Sequence, residues 1–263
     1  MRIEGSTVLL TGAVGGIGQA MARELAAKGA KLVLSGRRAD ALEALAAELG
    51  ARAVTADLAD PDQVDRLAEA APDTDILIAN AAMPATGDLL DYTPEQIDRS
   101  LTVNLRAPIM LARALAPRMV AAGRGHIVLV GSISGKTATK YSSLYSAAKF
   151  GLRGFALSFR QDLHGTGVGV SLVQPGAVRD VGMFAATGAT PPTGVRMVSP
   201  EQVVAGVVRS VERDLCEVNV APLELRVLSA LAGQFPGFAE KAQRGSSAER
   251  TINEVAAAQR NRR

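Results

Sequence analysis

The chain has 263 residues, enough to bury a complete hydrophobic core, and its 48% hydrophobic and 21% charged residues exclude disorder over its whole length. A net charge of +3 and an aromatic content of 3% disfavour nucleic-acid binding. A single cysteine, two histidines and the lack of an apolar run of about 18 residues disfavour a disulfide, a zinc site or a membrane span, and we expect a cytoplasmic protein.

Short apolar runs alternate with longer amphipathic stretches along the chain. The runs predict strands at 6–11, 31–35, 52–56, 75–79, 126–131, 168–174 and 217–221. The stretches predict helices near 17–28, 39–49, 61–71, 94–122, 143–165 and 200–213. This alternation predicts an α/β fold, a single-domain doubly wound Rossmann-type parallel sheet of about seven strands with helices on both faces. We expect the core domain at 1–221 and a helical C-terminal extension at 222–263.

A glycine-rich turn joins the first predicted strand to the first predicted helix. The turn reads Thr11-Gly12-Ala13-Val14-Gly15-Gly16-Ile17-Gly18, and the helix after it has a glycine stop at Gly29. In this setting the backbone N–H groups at the start of the helix can hold the pyrophosphate of a dinucleotide. The alternative is a tight turn without a ligand.

Polar residues or glycines end six of the predicted strands. In a parallel sheet these ends meet at the edge where ligands bind, so the pattern predicts one continuous cleft. The segments concerned are Thr11-Gly12, Ser35-Gly36-Arg37-Arg38, Asp57-Leu58, Asn80-Ala81-Ala82, Gly131-Ser132 and Pro175-Gly176.

Tyr145 and Lys149 stand four residues apart in a predicted helix, which puts the phenol and the ammonium on one face. A tyrosine titrates near pH ~10, and a neighbouring ammonium would lower its pKa toward the range that a general acid or base needs. The alternative is a surface pair that has this spacing by chance.

Over roughly residues 5–221 the chain resembles the short-chain dehydrogenase/reductase family, because these motifs occur in the family's order and spacing. The resemblance implies an NAD(P)-dependent oxidoreductase that interconverts a carbonyl and an alcohol without a metal, and that assembles as a homodimer or homotetramer. It implies a catalytic tetrad of Asn104, Ser132, Tyr145 and Lys149. It also implies cofactor contacts from Gly12, Gly16, Ile17, Gly18, Arg37, Arg38, Asp57, Leu58, Asn80, Ala81, Tyr145, Lys149, Pro175, Gly176, Val178 and Asp180.

Each member of the tetrad has an expected role. Tyr145 would exchange a proton with the substrate oxygen, and Ser132 would donate a hydrogen bond to the developing alkoxide. By resemblance, Lys149 would bind the nicotinamide ribose, and the carbonyl of Asn104 would hold a water that reprotonates the lysine. Pro108 fits this role, because a proline four residues on gives no N–H to that carbonyl and kinks the predicted helix.

The end of the second predicted strand bears on the choice of cofactor. An acidic residue there would favour NAD(H), but the position holds Gly36, followed by Arg37 and Arg38, so we predict NADP(H). Ordinary solvated arginines at the start of a helix are the alternative. Two positions depart from the family pattern, since Ala82 replaces a glycine and Asp180 a threonine.

The segment 180–198 follows the sixth predicted strand and has mainly apolar large side chains, so we expect a mobile lid over a hydrophobic substrate. These side chains are Val181, Met183, Phe184, Val195 and Met197. The extension after residue 222 is apolar and then basic. We favour its packing on the substrate cleft or on a neighbouring subunit, while contact with a membrane surface and completion of the core stay open.

Two further function classes remain open at this stage. One is a non-catalytic nucleotide-sensing protein on the same scaffold, although all four tetrad residues are present here. The other is a sugar-nucleotide epimerase or dehydratase, which the lack of a large C-terminal substrate domain disfavours.

Overall fold

The computed structural model describes residues 1–190, 196–243 and 247–260. Its centre is a sheet of parallel strands in the order β3-β2-β1-β4-β5-β6-β7. The strands are β1 Thr7–Thr11, β2 Lys31–Gly36, β3 Arg52–Thr55, β4 Ile76–Ala79, β5 Gly125–Val130, β6 Val168–Pro175 and β7 Glu217–Val220. From β1 the chain adds β2 and β3 on one side of the sheet, and then β4 to β7 on the other side. The crevice between β1 and β4, where the strand order reverses, is the place where ligands bind in doubly wound sheets.

The helices connect consecutive strands and then extend beyond the last one. They are α1 Gly16–Ala27, α2 Ala39–Leu49, α3 Pro61–Ala70, α4 Pro94–Leu101, α5 Ala107–Ala121, α6 Ser143–Asp162, the single turn α7 Gly182–Ala185, α8 Pro200–Glu212, α9 Leu223–Gln234, α10 Pro236–Gln243 and α11 Ser247–Gln259. Proline follows the cap at the start of α3, α4 and α8, and the last two of these helices begin with complete capping boxes.

Two apolar cores cover the two faces of the sheet. In β1, Val8 and Leu10 belong to the core beneath α1, α2 and α8, whereas Leu9 belongs to the core beneath α3, α5 and α6. All three side chains are fully buried. Burial on both faces explains why these strands read as continuous apolar runs, and each such leucine contributes roughly 1.5–3 kcal/mol.

The predicted elements agree closely with the observed ones, with two exceptions. Every predicted strand lies within one residue of an observed strand at each end. The predicted helix at 94–122 is wrong as a single element, because a π-helical segment at Thr102–Arg106 separates α4 from α5. The segment from 180 to 198 also contains the short helix α7, and Val195 of that segment lies outside the described residues.

The extension after residue 222 consists of helices α9 to α11, as a helical tail predicts. Helix α9 exposes an apolar stripe to solvent, formed by Leu223, Val227, Leu228, Leu231 and Phe235. Of the basic residues predicted in the tail, Arg244, Arg262 and Arg263 lie outside the described residues. No helix in the described ranges is long and apolar enough to cross a membrane.

Candidate active site

The glycine turn brings bare backbone to the carboxyl end of β1. Gly12 has a φ of 66°, and a Cβ there would lie 2.8 Å from Cα of Ala81. A Cβ at Gly18 would lie 2.1 Å from the Gly12 carbonyl oxygen, so α1 can approach the turn only through glycine. The lack of side chains at Gly12 and Gly18 thus allows the strand, the turn and the helix to pack closely where β1 meets β4.

The start of α1 is suited to an anion. Its N-cap, Gly15, makes no side-chain hydrogen bond to the helix, and no acidic residue lies in the first turn. The caps of α3, α4 and α8 do supply such bonds. The first N–H groups of α1 therefore lack a side-chain cap, which fits a phosphate group at this position.

Asn80 braces the glycine turn from the neighbouring strand. Its side-chain Nδ2 donates to the carbonyl oxygens of Thr11 and Gly12 at 3.1 and 3.3 Å. The backbone N–H groups of Asn80 and Ala81 both donate to the Thr11 hydroxyl at 3.1 Å. Asn80 thus fixes the shape of the turn and also lines the cleft.

A cavity of about 390 Å³ follows this edge from the glycine turn to the end of β3. The predicted cofactor residues that line it are Gly12, Gly16, Ile17, Gly18, Arg37, Arg38, Asp57, Leu58, Asn80 and Ala81. The described structure thus brings these ten predicted residues to one elongated cavity.

The two arginines after β2 differ in their surroundings. Arg38 donates from Nη2 to the carbonyl oxygen of Val14 at 2.7 Å, which ties the start of α2 to the glycine turn. Arg37 is exposed and lines the cavity, and no hydrogen bond or ion pair within the described ranges holds its guanidinium. A Cβ at Gly36 would lie 3.1 Å from Val14, so a larger residue would crowd this position.

Asp57 is held by a partner that the sequence reading missed. Arg99 of α4 donates to its Oδ2 at 2.9 Å, and the Ala59 N–H donates to its Oδ1 at 3.0 Å. Partial burial raises the pKa of Asp57, but these two hydrogen bonds and the charges of Arg99 and Arg37 together outweigh it and keep that pKa below its usual value. The carboxylate therefore stays ionised beside the cavity.

A second cavity of about 600 Å³ adjoins the first and contains the catalytic candidates. The two cavities share Ile17, Asn80, Ala82, Gly182 and Met183 as lining residues. Ser132, Tyr145 and Lys149 line the second cavity together with Pro175, Gly176 and Val178. Three of the four predicted tetrad residues thus line the cavity that adjoins the first one.

The pKa of Tyr145 moves against the sequence prediction. Burial raises the pKa of Tyr145 to about 12, and the neighbouring Ser132 side chain opposes that rise. The predicted lowering is therefore wrong for the structure described here, because desolvation of the phenolate outweighs its neighbours. A sequence does not reveal how far a side chain is desolvated.

Lys149 is a buried cation with a single carbonyl partner. Its Nζ donates to the Val130 carbonyl oxygen at 3.1 Å and lies 5.7 Å from the ring centroid of Tyr145, as the spacing of four residues predicts. The side chain is almost fully buried, and burial lowers its pKa to about 8. At neutral pH the ammonium stays charged close to the phenol.

Asn104 lies in the π-helical segment and does not line either cavity. Its side chain clamps the backbone of Met83, with Oδ1 accepting from the Met83 N–H at 3.0 Å and Nδ2 donating to the Met83 carbonyl at 3.1 Å. The segment and Pro108 break the regular helix here, and π-bulges of this kind are frequent at functional sites. The side chain of Asn104 thus positions the loop after β4.

Asp180 lies apart from the other predicted residues. It has a φ of 66°, is exposed, and approaches Arg179 at 3.6 Å rather than lining a cavity. Its neighbours Val178, Val181 and Gly182 do line the second cavity. A contact between Asp180 and the nicotinamide stays a prediction that would require this turn to rearrange.

The C-terminal extension supplies lining residues that motif reasoning did not identify. Leu225, Leu228, Ser229, Leu231 and Ala232 of α9 and Thr251, Ile252, Val255 and Gln259 of α11 face the second cavity. Their apolar spacing marked them as helical, but only the fold shows which surface they cover. The described residues of the tail pack against this cavity, as the first part of the favoured interpretation expects, and contact with a neighbouring subunit stays a prediction.

Comparison with known proteins assigns most of the chain to one protein family. The family model described as short chain dehydrogenase matches residues 6–191. A ketoacyl reductase from Nostoc sp. (strain PCC 7120) is 36% identical over 227 residues, which cover 83% of this chain and 79% of that protein. Among solved structures, a short-chain dehydrogenase from Sphingobium yanoikuyae in complex with NADPH has 31% identity and a TM-score of 0.77, with 92% of this chain and 98% of that chain covered. A metagenomic short-chain oxidoreductase in complex with NADP has 31% identity and a TM-score of 0.70, with 83% and 98% covered.

Proposed function

The chain belongs to the short-chain dehydrogenase/reductase family, and on this premise we propose that it is an NADP(H)-dependent oxidoreductase that interconverts a carbonyl and an alcohol on a hydrophobic substrate. A ketone or a 3-oxoacyl group is the substrate type that fits best. The observation that carries the proposal is that Ser132, Tyr145 and Lys149 line a cavity that adjoins the glycine-lined cleft.

The residues of the first cavity fit a dinucleotide. The uncapped start of α1 can hold the pyrophosphate, and Asp57 with Leu58 can hold the adenine at the end of β3. Pro175, Gly176 and Lys149 lie where the nicotinamide half would reach the second cavity. When bound, this group supplies or takes up the hydride.

Tyr145 is the residue that moves the proton. A pKa of about 12 keeps the phenol protonated at neutral pH, which is the form that donates to a carbonyl oxygen. As the proton leaves, the Lys149 ammonium 5.7 Å from the ring centroid stabilises the phenolate. Ser132 lines the same cavity as Tyr145, and its hydroxyl would donate to the same substrate oxygen.

A preference for NADP(H) is supported by Arg37. Its guanidinium lines the cavity without a hydrogen-bond partner in the described ranges, and no acidic side chain occupies position 36. A guanidinium binds a phosphate through paired hydrogen bonds, which makes it the natural partner of a 2′-phosphate. The similar structures from Sphingobium yanoikuyae and from the metagenomic oxidoreductase contain NADPH and NADP, which supports the same choice.

A hydrophobic substrate is supported by the second cavity. Lys149 is the one charged residue among the described residues that line it, and α7, α9 and α11 contribute apolar walls. A sugar would leave its hydroxyl groups against these walls without partners. The similarity to a ketoacyl reductase supports a 3-oxoacyl group as one substrate type.

The cofactor preference is tested by charge reversal at Arg37. We expect Arg37→Asp to raise the KM for NADPH by about 10- to 100-fold, since a charge-assisted hydrogen bond contributes about 1.5–3 kcal/mol, and to leave the KM for NADH little changed. The matched control is Arg66→Asp, which reverses an exposed charge on α3 outside both cavities. An unchanged KM for NADPH in the Arg37 variant would overturn the assignment.

The reaction itself is tested on a panel of ketones, alcohols and 3-oxoacyl esters with both nucleotides. The account requires tight NADPH binding by calorimetry and turnover, visible as loss of NADPH absorbance, on at least one member. A non-catalytic nucleotide sensor, the alternative, would bind NADPH and turn over nothing. Failure to bind either nucleotide would defeat both proposals.

A homodimer or homotetramer built on α5 and α6 stays a prediction. Phe150 of α6 and Val120 of α5 are exposed large apolar side chains, as a subunit contact on these helices would need. Light scattering on the purified protein measures the assembly directly, and a monomer would contradict the prediction.

A further inference from the structure

Helix α11 contributes one wall of the second cavity. Thr251, Ile252, Val255 and Gln259 lie on a single face of the helix and line that cavity. Thr251 and Gln259 are buried, while Asn253 and Glu254 on the other face are exposed. The helix therefore presents two apolar side chains to the substrate space between two buried polar ones.

Side-chain hydrogen bonds tie α11 to two separate loops at the rim of the cleft. Thr251 Oγ1 donates to the Thr190 carbonyl oxygen at 2.7 Å, in the connection between β6 and α8. Gln259 Oε1 accepts from the Thr86 N–H at 3.1 Å, in the connection between β4 and α4. The helix thus bridges the loops that follow two of the strands forming the active cleft.

Two exposed contacts reinforce the same two tethers. Glu254 Oε2 accepts from the Thr190 N–H at 3.0 Å, and Arg260 forms an ion pair with Asp91 at 2.7 Å. Exposed ion pairs contribute little on their own, so the buried bonds of Thr251 and Gln259 carry the attachment.

We propose that α11 is the wall that limits the size of the substrate, with Ile252 and Val255 as its specificity-determining residues and the bonds of Thr251 and Gln259 holding it in place. The part of the substrate whose size α11 limits is the uncharged, apolar group attached to the reacting carbonyl. This inference rests on the proposed function and adds the residues that select among hydrophobic substrates.

The physical basis is packing against a fixed wall. An apolar pocket distinguishes substrates by about 10- to 200-fold for one methylene group, provided that the wall does not move. A helix tied at both ends by buried hydrogen bonds supplies such a wall, whereas an untied tail would yield to a longer chain. Shortening Ile252 should admit longer substrates, and enlarging it should exclude them.

The test compares Ile252→Ala and Ile252→Phe with the wild type on straight-chain ketones and 3-oxoacyl esters of increasing length. We expect kcat/KM to shift in favour of longer chains by about tenfold in the alanine variant and in favour of shorter chains by about tenfold in the phenylalanine variant. Asn253→Ala, on the exposed face of the same helix, is the matched control and should keep the wild-type length profile. Gln259→Ala should flatten the profile, because one end of the wall is released.

Binding provides a readout that does not depend on turnover. In the presence of NADPH, calorimetric affinities of straight-chain alcohols should show the same shifts of preferred length in the two Ile252 variants. Unchanged length preference in both variants, for turnover and for binding, would overturn the inference. Loss of turnover alone on every panel member would instead contradict the proposed function, and shifted alcohol affinities would still support the wall.

Discussion

Strand β5 carries a buried polar cluster at each of its ends, and the two clusters differ in what they cost the fold. At the amino end, His126 Nε2 lies 2.8 Å from Ser171 Oγ, which donates to the Leu215 carbonyl oxygen at 2.6 Å. Since the single hydroxyl hydrogen is used there, the network places a ring hydrogen on Nε2. Burial lowers the pKa of His126 to about 4, which makes the histidine neutral at pH ~7. Just beyond the carboxyl end, Ser132 and Tyr145 adjoin the buried ammonium of Lys149, which has the Val130 carbonyl as partner.

The difference separates a cluster that stabilises the fold from the one to which we assign the proposed reaction. Neutral groups that satisfy each other's hydrogen bonds can be buried at little cost, as at His126 and Ser171. A buried cation with one carbonyl partner costs free energy, and the lowered pKa of Lys149 expresses that cost. Protein sites keep such costs where they serve chemistry, which supports the proposal that the carboxyl end is the reactive one.

The largest effect at the carboxyl end of β5 is expected from Tyr145→Phe. This variant removes the proton donor and leaves the ring packing, so we expect kcat to fall by about 10²–10⁴-fold with NADPH affinity nearly unchanged. Steady-state kinetics and calorimetry on the same preparation measure the two effects. Near wild-type turnover would remove Tyr145 from the mechanism.

A matched pair of serine substitutions sharpens the comparison. Ser171→Ala strands the His126 Nε2–H and the Leu215 carbonyl in a buried site, so the free energy of unfolding should fall by about 1–3 kcal/mol while kcat is kept. Ser132→Ala removes a donor to the substrate oxygen, so kcat should fall by about 10²–10³-fold with a smaller loss of stability. Denaturant titration and turnover of both variants give the four values. Equal effects of both substitutions on turnover would erase the distinction between the two ends.

The pH dependence of the free energy of unfolding should reflect the protonation of His126 at the amino end of β5. Burial lowers the pKa of His126 to about 4, although Asp214 nearby opposes this, whereas an unfolded histidine titrates near ~6.5. Between these two pH values the imidazole of His126 is protonated in the unfolded chain but neutral in the folded chain. Stability from this group is therefore complete above pH ~6.5 and falls by about 2 kcal/mol at pH ~5.

The control for this prediction is His126→Gln, which replaces the imidazole by a side chain that does not titrate. Urea unfolding at pH ~7.5 and pH ~5 should show a fall about 2 kcal/mol smaller in the variant than in the wild type. The same fall in both proteins would mean that other groups dominate the acid side of the stability curve.

The strands could be predicted from the sequence because each one is a local run of apolar residues. The run at 31–35 became β2 at Lys31–Gly36, and the helix predicted at 39–49 is α2 with the same bounds. The spacing of Tyr145 and Lys149 placed the two groups on one helix face, where the structure has them.

Features that depend on distant partners were beyond the reach of these patterns. The π-helical segment after α4 accompanies the clamp of Asn104 on Met83, and Arg99 reaches Asp57 across 42 residues of sequence. The direction of the Tyr145 pKa depends on burial by parts of the chain far from position 145. The attachment of α11 to Thr86 and Thr190 likewise requires the whole fold.

The most direct test of the central claim is the effect of Lys149→Met on the free energy of unfolding and on turnover. Replacing the buried ammonium by an apolar side chain of similar length should stabilise the protein by about 1–3 kcal/mol at pH ~7 while turnover falls by about 10²-fold or more. The gain should shrink as pH rises from ~8 to ~10.5, since the wild-type lysine then loses its charge in the folded chain before the unfolded one. A folded variant that is no more stable than the wild type, or that keeps its turnover, would contradict the claim that the carboxyl end of β5 holds a costly charge for catalysis.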